Sequence, residues 1–363
     1  MTPSQHTLWI GTYPPDGADP GSGEGVWQVT VDAQGCFGAP RRVVETPSPS
    51  FLALHPSGHT LFAVAEAEEG AVTAFTVGDD GATLSDPVTV GSGGASPAHL
   101  LALADALWIA NYADGVASVV PLDPATGALV AEAPTCFAGE GTGPREDRQE
   151  GPHAHFTGVV GERALVADLG ADLLRAYPAD PGAAAARAAA EVAAALPPGS
   201  GPRHFVVLPG GALVVTGELD GRLHVLAPAG PDTWEPALAL RSTVGEYALS
   251  QLSHVTLTGD LVLVGVRGAD LLAVHRVTDA AATAGPTVAP TLEPLADIPL
   301  GAGAWPRHHA VVGEVERGRL LAVVALQGTN QLASVLVDTA TGQGAVASTL
   351  SLPTPAMCVL EAS

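Results

Sequence analysis

Apolar residues in this chain fall into short paired runs, and the pairs recur. Leu61-Phe62-Ala63-Val64-Ala65 precedes a polar turn, and Ala71-Val72-Thr73-Ala74-Phe75-Thr76-Val77 follows it. The same order of apolar run, turn and second run occupies 106–112 with 115–122, 164–169 with 173–177, 212–218 with 222–226, 261–267 with 271–277, and 319–327 with 332–337. The runs are short, often alternating or β-branched, and bounded by Gly, Asp and Asn, which is the pattern of strands joined as hairpins. Asp123-Pro124-Ala125-Thr126-Gly127 and Asp338-Thr339-Ala340-Thr341-Gly342 read as outer turns in which the glycine supplies a positive φ.

Each pair is introduced by a proline within a small polar cluster. The openings are Ser48-Pro49-Ser50-Phe51, Ser96-Pro97-Ala98-His99, Gly151-Pro152-His153-Ala154-His155, Gly201-Pro202-Arg203-His204, Trp305-Pro306-Arg307-His308 and Thr354-Pro355-Ala356-Met357. Leu252-Ser253-His254 stands where the fifth unit lacks the proline. A period of about 50 residues points to a propeller or another repeat array. After Pro355 only 356–363 remain, enough for one strand. The strands missing from that unit stand at the other end, in 7–13 and 25–31. A ring closed by pairing the two chain ends leaves no half-unit with an open edge, whereas a linear array needs capping units. The expectation is an all-β, seven-bladed propeller forming one domain over residues 1–363.

Two segments depart from the pattern. Residues 138–150 are polar and glycine-rich, and read as a long surface loop beside the third unit. Residues 183–195 are nearly all alanine with Arg187 and Glu191 four apart, a composition that favours a short helix in place of an outer strand.

Composition narrows the function classes. Of 363 residues, 47% are hydrophobic, ample for a large core, yet no apolar run approaches the length needed to cross a bilayer. The first six residues lack the basic-then-apolar order of a secretory signal, so a cytoplasmic location is expected. The formal net charge of −23 argues against nucleic acid as a partner. All 15 basic residues are arginine, which rules out a Schiff-base or Walker-type lysine and is consistent with genomic base composition. Cys36, Cys136 and Cys358 are too scattered for a disulfide framework or a zinc site. No G-x-S-x-G, H-E-x-x-H or Walker A motif is present.

Aligning the units stacks polar residues in two columns. One lies just after the opening: His99, His153, His155, Arg203, His204, His254, Arg307 and His308. The other lies where the first apolar run ends: Tyr13, Glu66, Tyr112, Leu169, Glu218, Arg267 and Gln327. In a ring, equivalent positions share a radius, so residues about 50 apart in sequence meet around a central channel. His99, His204 and His308 recur two residues after the proline, a regularity that suits bonding between neighbouring blades as well as substrate contact. His55 and His59 flank a Pro-Ser-Gly turn and are expected to be solvated. Arg203 and Arg267, beside apolar runs, need a partner; Glu218 can serve in a structural ion pair, or the arginines can meet a substrate. The columns hold no convergent Asp and Asn set, so neither metal nor other cofactor is expected.

The stretches 48–58, 96–100 with 110–112, 151–156 with 167–172, 199–205 with 217–220, and 305–308 together resemble the seven-bladed β-propeller lactonase family. That family includes the propeller type of 6-phosphogluconolactonase and the fungal carboxy-muconate lactonising enzyme. The likeness covers essentially the whole chain, although Gly217-Glu218-Leu219 and Val266-Arg267 stand where the family usually has Asn-Glu-Leu and Asn-Arg. The resemblance implies hydrolysis of a sugar-acid lactone, 6-phosphogluconolactone above all. It places the family's channel-mouth residues on His153 or His155, Arg203, Arg267 and Glu218. By this reading a His or Glu218 is the base, and Arg203 and Arg267 hold a small anionic lactone and stabilise developing charge. Arg307 holds a terminal phosphate, and Tyr13, Glu66, His99, Tyr112, His204, His308 and Gln327 complete the substrate wall. The rival readings are a lactonising cycloisomerase acting on a muconate-type dicarboxylate and a propeller that only binds partners.

Overall fold

A computed structural model of the chain describes residues 5–15, 17–186, 190–278 and 290–362. It contains seven four-stranded antiparallel sheets. The first blade joins Ala356–Glu361 to Gln5–Thr12, Gly25–Asp32 and Arg41–Glu45. The next six are continuous in sequence, from Leu52–Leu54 through Leu84–Gly91 for the second to Pro306–Glu316 through Gly344–Ser351 for the last. Each innermost strand packs on the innermost strands of both neighbours, and Ala356–Glu361 touches Leu52–Leu54 on one side and Pro306–Glu316 on the other, so the circle is complete.

Closure works as the sequence implied. Trp9 pairs with Leu360 and Ile10 with Val359. Beyond the ladder, the Tyr13 amide donates to the Pro355 carbonyl at 3.0 Å and the Ala362 amide to the Thr7 carbonyl at 2.8 Å.

Burial explains why some strands are conspicuous in the sequence. The second strand of a blade is covered on both faces; Ala106–Asn111, Arg163–Asp168 and Leu261–Arg267 are buried at every residue. Such strands read as unbroken apolar runs. Outermost strands cover one face only, and Gly344–Ser351 alternates between half-buried and exposed. The core is spread around the ring: the described residues form seven apolar clusters, each bridging one pair of adjacent blades. Leu263, Leu272 and Ile298 meet Ala322, Val324 and Val335 in one of them.

Three local expectations are corrected. The openings are themselves the innermost strands, so the second column lies at the end of the second strand of each blade, not the first. The alanine-rich segment forms a helix only at Pro181–Ala185, and Glu191–Ala195 is an outer strand paired to Leu173–Pro178; Arg187 lies outside the described residues. The strand is kept because Ala193, Ala194 and Leu196 fill the interface with the next blade, where burial outweighs alanine's helical preference. His55 is not solvated: it is 1% exposed, with Nδ1 at 2.8 Å from Ser57 Oγ and Nε2 at 2.9 Å from the Ala104 carbonyl oxygen. His59 is exposed, as expected. Asp123 and Asp338 cap their outer turns as read, each accepting from two backbone amides and a threonine hydroxyl.

Candidate active site

The prolines fix the site through the residue before them. Ser48, Ser96, Gly201 and Trp305 have φ of 42°, 52°, 60° and 50°. For the three that are not glycine this left-handed backbone is unfavourable and must be held. Carboxylates of the preceding blade hold it: the Ser48, Gly201 and Trp305 amides donate to Glu24, Asp172 and Asp270 at 3.0, 2.8 and 2.9 Å. The carbonyls of the same four residues accept from the amides of Glu66, Tyr112, Glu218 and Gln327. These four second-column residues are thereby pinned at one height on the channel wall.

Four of those residues, Glu66, Tyr112, Glu218 and Arg267, line an axial cavity of about 220 Å³ together with Ala98, Arg148, His155 and Arg307. Glu218 is its organising charge. Oε1 lies 2.6 Å from Arg148 Nη2, and Oε2 lies 2.9 Å from Arg203 Nε and 2.7 Å from Arg267 Nη2. Burial alone would push the Glu218 carboxyl up, but the guanidiniums of Arg267, Arg203 and Arg148 outweigh it and hold it well below the usual carboxylate range. Burial, then the neighbouring Arg267, pulls Arg203 down from its ordinary value; a guanidinium nevertheless stays charged. Arg267 also donates to the Leu252 carbonyl at 3.1 Å and lies over the Trp305 ring.

The opposite wall is less tightly paired. Arg307 Nη2 is 3.9 Å from Glu66 Oε1, and its guanidinium lies 5.7 Å from the Tyr13 ring centroid. Glu66 Oε2 accepts from the Ser50 hydroxyl. Burial, then the Glu66 charge, pushes the Tyr13 hydroxyl up, so it stays protonated. Three arginines and two glutamates line the cavity, and Arg203 lies buried against Glu218 outside the lining, so the site is cationic inside a strongly anionic chain.

The two histidines of the third opening divide. His155 lines the cavity. Burial, then Arg203, holds its imidazole well below its ordinary value, so it is neutral. His153 does not line the cavity: its Nδ1 is 2.8 Å from the Tyr112 carbonyl oxygen, its Nε2 is 3.3 Å from Glu150, and its ring stacks on Tyr112. It supports Tyr112 from behind.

The first-column residues two positions after the proline do not reach the cavity. Phe51, His99, Phe156, His204, His254 and His308 form a closed circle of ring contacts, with centroids 3.9 to 5.6 Å apart around six blades. Met357 holds the equivalent place in the first blade. His204 Nδ1 lies 2.8 Å from His254 Nδ1, and the Val359 amide donates to His308 Nδ1. This circle plugs the channel, so His99, His204 and His308 stand outside the cavity lining. Gln327, in a short 3₁₀ turn, stands outside it too, and Tyr13 stays behind Arg307 and Glu66. No group of three or more potential metal ligands occurs among the described residues.

Arg148 is the residue sequence reasoning missed. The loop 138–150 is more than a surface excursion: Gln149 is fully buried, and Arg148 reaches both Glu218 and the Tyr112 hydroxyl, the latter at 3.2 Å. The available signal was a run of charged residues directly before the histidine pair, in a chain with only 15% charged residues.

A family described as "Lactonase, 7-bladed beta-propeller" matches residues 7–360. The chain belongs to this lactonase family. A 6-phosphogluconolactonase of Bacillus subtilis (strain 168) is 28% identical over 283 residues, 74% of this chain and 77% of that protein. The periplasmic gluconolactonase of Pseudomonas aeruginosa is 25% identical in structural superposition, with a TM-score of 0.82 and 99% of each chain covered. A Lactobacillus plantarum protein shares the fold at 23% identity, with a TM-score of 0.80 and 99% of each chain covered. The Pseudomonas lactonase is periplasmic by name, so membership does not carry a compartment; no helix among the described residues is long and apolar enough to cross a membrane.

Proposed function

We propose that the axial cavity binds and hydrolyses a sugar-acid lactone, with 6-phosphogluconolactone as the substrate. The observation that carries this reading is the fixed guanidinium set around Glu218, opening on a small cavity with Arg307 on the facing wall. The name of the Bacillus relative supports the choice of lactone.

Lactone hydrolysis needs an activated water, a stabilised oxyanion and a proton for the departing ring oxygen. Donors already held in place stabilise the oxyanion without reorganising, and Glu218 holds Arg267 in this way, with Arg203 buried behind the pair. With both oxygens engaged by guanidiniums, Glu218 positions those arginines and does not serve as the base. Arg307 makes no hydrogen bond among the described residues, which leaves its fork free for the carbonyl oxygen. Arg148, at 31% side-chain exposure against 19% for Arg307, stands nearer the mouth and takes the terminal phosphate. This reverses the assignment expected from sequence, where Arg307 held the phosphate.

The test is the rate above buffer with 6-phosphogluconolactone, glucono-δ-lactone and a muconate-type dicarboxylate as substrates. Turnover of the phosphorylated lactone, with a lower kcat/KM on the unphosphorylated one, is expected. Turnover of the dicarboxylate alone would favour the cycloisomerase, and no turnover of any would favour a binding role.

A further inference from the structure

We propose that Glu66 is the general base that activates the hydrolytic water, with Arg307 beside it as the oxyanion donor and His155 as a hydrogen-bond donor. The proposal rests on the lactone-hydrolase reading above. Three acceptors in or beside the cavity have to be compared. Glu218 has a guanidinium within 2.9 Å on each oxygen, three in all, so taking up a proton there would break its ion pairs. His153 is turned away, with both ring nitrogens engaged.

His155 faces the cavity, but its Nδ1 is shut off from solvent and has no hydrogen-bond partner among the described residues. A histidine that takes a proton at Nε2 carries N–H on both nitrogens, and the second needs an acceptor, as a carboxylate provides in a catalytic triad. No carboxylate stands there, so protonating His155 would bury a cation next to Arg203 without the partner a catalytic histidine uses. The arrangement suits the Nε2–H tautomer, which donates into the cavity.

Glu66 differs from all of these. Only neutral hydroxyls engage its carboxylate, Ser50 on Oε2 and the protonated Tyr13, while the nearest cation, Arg307, stands 3.9 Å from Oε1, beyond hydrogen-bond length. A water on Oε1 therefore sits beside Arg307, and base and oxyanion donor are adjacent, as an attack on a carbonyl requires. The water oxygen forms a bond to the lactone carbonyl carbon while its proton passes to Glu66, and the carbonyl electron pair moves to the oxygen facing Arg307. Collapse re-forms the carbonyl and breaks the ring C–O bond. The departing ring oxygen takes the proton back from Glu66, and the new carboxylic acid releases its own proton to solvent.

The experiment compares steady-state hydrolysis of 6-phosphogluconolactone by the wild type, Glu66→Gln, Glu66→Asp and Glu66→Ala, the last with and without added formate. Glu66→Gln is expected to lose about 10²–10⁴-fold in kcat, the range for a lost general base, with KM changed little. Glu66→Asp should retain a larger share, and formate should restore part of the Glu66→Ala rate, which a merely structural role would not allow. A Glu66→Gln kcat within about threefold of wild type, or loss in all three variants with no formate rescue, overturns the assignment while wild-type activity leaves the lactonase reading standing. Absence of wild-type turnover overturns both.

Discussion

Glu218 meets three guanidiniums with two oxygens, so its replacement should cost far more than one hydrogen bond. Glu218→Gln leaves Arg203, which is 2% exposed, without its counter-charge. Removing one partner of a buried ion pair costs about 3–5 kcal/mol. A urea melt of Glu218→Gln should show a loss of that order; a loss below about 1 kcal/mol would mean the pair is effectively solvated. Because the Glu218 pKa is depressed in the folded chain, its contribution is fully present above the ordinary glutamate range and is lost as pH falls below it. At this scale the sequence was informative where residues keep step with the repeat. Glu66, Tyr112, Glu218 and Arg267 follow buried strands at a constant offset, and the structure gathers all four. Arg148 was invisible because its loop belongs to no repeat, and nothing in residues 138–150 shows how far inward the chain turns.

The openings are the elements that set radius and height together. At Pro49, Pro97, Pro202 and Pro306 the residue before the proline is bonded to the end of the second strand, and the residue two after it enters the aromatic circle. Sequence alone could not separate these layers. A constant offset places residues at one radius, but whether they floor the channel or wall the cavity depends on which way the strand presents them. His99, His204 and His308 therefore read equally as inter-blade contacts or substrate contacts, and the structure puts them in the aromatic circle. Their burial carries a pH consequence. His99, His155, His204, His308 and His309 are each at most 9% exposed. Burial is the main cause that depresses all five, His99 and His309 to about 3. The unfolded chain protonates its histidines near pH 6.5, so stability is fully present above that pH and is lost as pH falls below it. Each buried histidine contributes a slope of about 1.4 kcal/mol per pH unit. The urea midpoint should fall steeply between pH 7 and pH 5 and stay nearly flat between pH 7 and pH 8. A midpoint unchanged down to pH 5 would show that the plug accepts protons.

Closure of the ring is what brings groups some 50 to 250 residues apart to one axis, and it was legible because one strand of a unit stood at the C-terminal end and its partners at the other. The whole molecule also imposes a conflict. A net charge of −23 repels an anionic lactone at long range, while the cavity arginines attract it at short range. Salt shortens the Debye length from about 30 Å at 0.01 M to about 8 Å at 0.15 M, which screens the distant repulsion more than the buried contacts. For a phosphorylated lactone, kcat/KM should therefore rise when sodium chloride is raised over that range, while a neutral lactone should respond little. A fall in kcat/KM for the phosphorylated substrate would mean that the local arginines dominate the approach as well as the binding.

The central claim is that the guanidiniums gathered at the axis perform the chemistry, and Arg267 tests it most directly because it touches both Glu218 and the cavity. The measurement is kcat/KM for 6-phosphogluconolactone in Arg267→Gln against wild type, with folding checked by thermal melting. A loss of about 10²-fold or more in a folded variant is predicted, the scale of removing one preorganised oxyanion donor. A folded Arg267→Gln within about threefold of wild type would contradict the account.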